Sequence, residues 1–75
     1  MNKRTITAER LYRLEFDNKP QIVEVIEADY ENIGSALLRI LEGESELILM
    51  ELDLLDMRAL IDMLEAAYIS QGGGK

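Results

Sequence analysis

Polar and apolar positions alternate where the chain begins. Residues 5–16, TITAERLYRLEF, set Ile6, Ala8, Tyr12, Leu14 and Phe16 on one parity and Thr7, Glu9, Arg13 and Glu15 on the other; Arg10 and Leu11 break the pattern. Period two predicts a half-buried strand. A helix remains the rival, because Ala, Glu, Arg and Leu all propagate helices well. Asp17-Asn18-Lys19-Pro20 is turn chemistry, so a β-hairpin follows. Its second strand, QIVEVIEA at 21–28, is rich in β-branched residues and carries apolar side chains on both parities, which predicts cover on both faces.

The period then changes. Across 29–43, DYENIGSALLRILEG, residues Tyr30, Ile33, Leu37, Ile40 and Leu41 follow helical spacing while Glu31, Asn32, Ser35, Arg39 and Glu42 take the other side. Asp29 fits an N-cap and Gly43 a left-handed C-cap, so a one-sided helix is expected. Residues 46–52, ELILMEL, form a short apolar run between turn signals, the pattern of a strand buried on both faces. Asp53 and Asp56 then suit the positive end of a last helix, which Gly72-Gly73-Gly74-Lys75 ends.

That last helix is unusual in having almost no polar side. On a helical wheel Leu54, Met57, Leu60, Ile61, Leu64, Ala67 and Tyr68 share one face, expected to cover the sheet. A second stripe, Leu55, Ala59, Met63, Ala66 and Ile69, lies outside it, and Arg58, Asp62 and Glu65 make the only clearly polar strip. A helix apolar nearly all round needs burial nearly all round. The second stripe is therefore expected to be an oligomer interface, against the alternatives that it packs within one monomer or meets a different protein.

Together these patterns predict an α+β fold: a small β-β-α-β-α domain with a three-stranded sheet, two helices on one face, and an oligomer that buries the C-terminal helix. The domain spans 1–71 and 72–75 is a flexible tail. A chain of 75 residues buries only roughly 60% of its unfolded surface, so it needs outside support. Without Cys it has no disulfide, and without Cys or His a zinc site has no ligands of the usual kind. That leaves oligomerisation or an unusually good core, and self-association is the expected answer.

Charge adds a second constraint. Fifteen acids against eight bases give a formal net charge of -7, and between Pro20 and Gln71 the only basic residues are Arg39 and Arg58. Such a field disfavours nucleic acid and anionic membrane and favours a basic protein surface. With no signal-like or membrane-spanning apolar run, the chain reads as cytoplasmic.

No catalytic set stands out. Cys and His are missing, the Ser and Thr residues lack an adjacent base or a glycine-rich elbow, and the C-terminal glycines follow a helix where a phosphate loop precedes one. Neither a catalytic residue, a metal site nor a cofactor is expected. Glu42, Glu44 and Glu46, and separately Glu51, Asp53 and Asp56, read as solvated acid clusters. Two functions fit. The first is a non-enzymatic acidic oligomer, an inhibitor of the kind phages use or a nucleic-acid mimic, which sets Glu42, Glu44, Glu46 and Asp17 against a basic protein site. The alternative is a ligand-sequestering oligomer that holds a small anionic metabolite or nucleotide signal between subunits through Arg39, Arg58, Tyr30 and Tyr68. Against that alternative stand ordinary salt bridges, Arg58 with Asp62 and Arg39 with an acid such as Glu42.

Overall fold

Strands consecutive in sequence pair edge to edge, which gives an antiparallel meander. The computed structural model describes residues 3–6, 10–27 and 34–74. Among them are β1 (Lys3–Ile6), β2 (Leu11–Glu15), β3 (Gln21–Glu27), β4 (Ser35–Glu42), β5 (Ser45–Asp53) and α1 (Leu54–Ser70). The strands form a five-stranded sheet in chain order, each antiparallel to its neighbour. The class is α+β, with an antiparallel sheet and a C-terminal helix.

Two details depart from the expected three strands and two helices. The helix expected at 29–43 is replaced over its second half by β4; Asp29 and Tyr30 lie outside the described residues. Ala36-Leu37-Leu38-Arg39-Ile40-Leu41 fits helical spacing and equally fits a strand apolar on both sides, and pairing on both edges decides for the strand. Gly43 is not a helix C-cap. It is the first central residue of the two-residue turn that joins β4 to β5, with φ +61°, where a type II′ hairpin favours glycine. The opening segment is strand, but as two strands: β1 and β2 are separated near Arg10, whose φ of +62° breaks the extended backbone. That is the place where the alternation faltered.

Register fixes the two faces. Tyr12 and Leu14 of β2 align with Val25 and Val23 of β3, then with Leu38 and Ile40 of β4, and finally with Met50 and Ile48 of β5. This face is wholly apolar at its centre. The opposite face alternates apolar rows with a charged one, Arg13–Glu24–Arg39. A bulge between Ile40 and Leu41 leaves Leu47 unpaired opposite them.

Asp53 caps α1. Its side chain accepts from the Asp56 amide at 2.8 Å, and the Asp56 carboxylate accepts from the Asp53 amide at 3.1 Å, a reciprocal capping box. At the other end the amide of Gly73 donates to the Tyr68 carbonyl and that of Gly72 to Ile69, with Gly72 at φ +93°. This is a Schellman stop. Gly72 and Gly73 thus take part in the helix terminus, and a Cβ at Gly73 would meet the Tyr68 ring where it stands.

The helix starts over the apolar face. Ala59, Leu60 and Met63 border a cleft whose floor is Leu38, Met50 and Leu52. Only Met57 and Leu60 of α1 are even half-buried, and of the strands only β5 contacts it extensively. Among the described residues Ala36 and Leu52 alone are fully buried hydrophobics. No helix among them is long and apolar enough to cross a membrane.

Candidate functional site

The meander sends alternate turns to opposite ends of the sheet. The β2–β3 turn at 16–20 and the β4–β5 turn at 43–44 therefore share one end, and Asp17, Glu42, Glu44 and Glu46 gather there, all exposed. Gln21 Nε2 ties the two turns together by donating to Glu42 Oε1 at 2.9 Å. Glu46 lies 4.0 Å from an Arg39 nitrogen. Lys19 also sits at this end, with its ammonium 5.0 Å from the Phe16 ring centre and 3.2 Å from Asn18 Oδ1. Of the candidate sets, this acidic one shares a single end of the sheet, with Glu42 and Glu46 on opposite faces.

The anion-binding set is not. Arg39 projects from the face away from α1, where its Nε donates to Glu24 Oε1 at 2.8 Å and its Nη2 donates to the same oxygen. Arg58 lies on the helix, 3.7 Å from Asp62, as the four-residue spacing predicts. Tyr68 stacks on Gly73, and Tyr30 lies outside the described residues. In one copy Arg39, Arg58 and Tyr68 do not converge.

The expected oligomer stripe is bare along its length. Leu55 is 80% exposed, Met63 67% and Ile69 57%, and Ala59 and Ala66 are exposed between them. The side expected to cover the sheet is also open in its second half, at Ile61, Leu64 and Tyr68.

Sequence reasoning missed the charged row across the sheet. Glu24 is 2% exposed; its second oxygen faces Arg13 Nη1 at 3.7 Å, and Arg13 reaches Glu15 at 3.4 Å. Arg13 Nε is buried without a hydrogen-bond partner. Half of this row is implied by the hairpin, since a turn at 16–20 sets Arg13 opposite Glu24. The Arg39 half depends on β4, whose segment reads as helix.

At the other end of the sheet, the Tyr12 hydroxyl donates to Glu27 Oε2. That bond, and then the carboxylate's charge, raise the phenol's pKa above its ordinary value. Tyr12 and Glu27 line a cleft of about 370 Å³ with Val25, Ala36, Leu54 and Met57. Among the described residues no group of three or more Asp or Glu side chains is placed to hold a metal ion. Comparison of the chain with protein-family models, curated proteins and solved structures returns no match.

Proposed function

We propose that this is a non-enzymatic binding protein, an acidic oligomer whose carboxylate-rich sheet end occupies a basic site on another protein and so blocks it. The observation that supports this reading is that Asp17, Glu42, Glu44 and Glu46 are all exposed at one end of the sheet, at two turns linked by the Gln21–Glu42 hydrogen bond. A cluster of exposed carboxylates steers a cationic partner from a distance and weakens with salt. Because the acids are anchored on a hairpin pair instead of a loose tail, less conformational entropy is lost on docking.

Charge reversal tests it against charge-matched controls. In binding to immobilised poly-lysine at rising salt, the Glu44→Lys, Glu46→Lys double variant is expected to lose retention by at least about tenfold, about 1.4 kcal/mol. Glu51→Lys with Glu65→Lys carries the same net charge elsewhere and is expected to lose much less. Equal losses in the two pairs mean that only total charge matters, and the localised site is then wrong.

A further inference from the structure

The largest unexplained feature is apolar surface. The chain exposes 6192 Å², whereas a compact protein of 8.5 kDa exposes about 4,700 Å². The excess, about 1,500 Å² per chain, comfortably passes the roughly 800 Å² per partner of a stable complex and reaches the obligate range. Its radius of gyration, 13.7 Å, likewise exceeds the about 11 Å of a compact domain of this length. Large apolar side chains contribute to it: Leu55, Leu64 and Ile69 on the helix, and Ile48 and Met50 on the sheet face beside it, are all close to half exposed or more.

We propose that a second copy of this chain covers that surface, with the two α1 helices packed antiparallel about a two-fold axis between Asp62 and Met63. The axis sets Ala59 of one copy against the partner's Ala66, and two small residues allow close approach of the backbones. The first half of α1 rests on its own sheet through Met57 and Leu60. Antiparallel pairing brings the partner's second half alongside it. Ile61, Leu64 and Tyr68 of the partner, bare in one copy, then meet the open part of the apolar sheet face. The same operation in reverse covers the first copy, as a closed two-fold interface requires.

Two features favour a second copy over a different protein. Both halves of the interface, a bare helix and a bare sheet face, are carried by one chain and are therefore mutually supplied. With only Ala36 and Leu52 fully buried among the described hydrophobics, the partner has to be present whenever the chain folds, and another copy always is. Antiparallel packing also separates the capping acids Asp53 and Asp56 from those of the partner; parallel packing stacks them and aligns the helix dipoles. The sequence pattern pointed to the outer stripe alone. The structure adds the inner side of the last two turns and the sheet face. This interface stands whether or not the acidic end binds a basic surface.

Disulfide trapping tests the geometry, and the chain has no Cys to confuse it. Within one helix, positions 59 and 66 are about 10 Å apart, beyond the reach of a disulfide. The Ala59→Cys, Ala66→Cys double variant is therefore expected to give a covalent dimer on oxidation, while each single variant and a Glu44→Cys control give little. Efficient crosslinking of Ala59→Cys alone indicates parallel helices and overturns the proposal, as does equal crosslinking of the control. Independently, the unaltered chain is expected to associate more tightly as salt screens its -7 charge. Salt weakens binding to a basic surface, so failure of one reading is visible apart from failure of the other. A folded single-chain species at high salt overturns the interface even where a Cys variant misfolds.

Discussion

Glu24 stands between two guanidinium groups on the sheet face away from the helix, and it is the one charged side chain fully buried among the described residues. Removing it leaves Arg13 and Arg39 facing each other across an apolar sheet. Breaking a buried pair costs about 3–5 kcal/mol, reduced here because both arginines are about one-third exposed. Glu24→Ala is expected to destabilise the protein by about 2–4 kcal/mol in urea unfolding at fixed protein concentration. Asp62→Ala breaks only the exposed Arg58 pair and is expected to stay within about 0.5 kcal/mol. Similar costs for the two would show that the Glu24 row does not hold the sheet.

Tyr12 gives a pH signature. Its phenol is held above its ordinary pKa by the hydrogen bond to Glu27 and by that carboxylate's charge. A group whose folded pKa is raised contributes stability that is fully present below its unfolded value, about 10, and is lost as pH rises through the folded value. Unfolding free energy measured from about pH 9 upward is therefore expected to fall less steeply in Tyr12→Phe than in the unaltered chain. An identical alkaline slope in the two proteins would count against the bond.

Among the elements, those set by local chemistry were legible. Asp53 and Asp56 announced the start of α1, the turn at 17–20 announced the β2–β3 hairpin, and the run at 46–52 announced β5 as a strand, because each depends on neighbours close in sequence; the burial on both faces expected of β5 is not found, since only Leu52 in it is buried. β4 was not legible. Leu37, Ile40 and Leu41 satisfy a helical face, and only pairing with Ile22, Val23, Ile26 and Ile48, distant in sequence, favours the extended form. The acidic end followed the same division: Glu42, Glu44 and Glu46 could be named from sequence, but their meeting with Asp17 required the meander. The helix start carries its own test. Asp53→Ala removes the cap and is expected to cost about 1 kcal/mol, with helicity lost from the first turn by circular dichroism. No loss of helicity or stability would mean that packing alone fixes the start of α1.

At the scale of the whole molecule, a fold with two fully buried hydrophobics among its described residues is an incomplete core. The apolar helix that wraps only the first part of its own sheet is explained if the rest of its surface belongs to a second copy, and the acidic ends of both sheets are then left outward to meet a basic partner. The helix pattern was visible in the sequence, yet its reach was not, because how far α1 lies over the sheet depends on where β5 ends and at what angle the helix leaves it. The most direct test is the mass of the unaltered chain by sedimentation equilibrium, over a range of concentrations and salt. The account predicts a folded species of twice 8.5 kDa that persists on dilution and tightens as salt rises. A folded, cooperative species of a single chain's mass under the same conditions would contradict it.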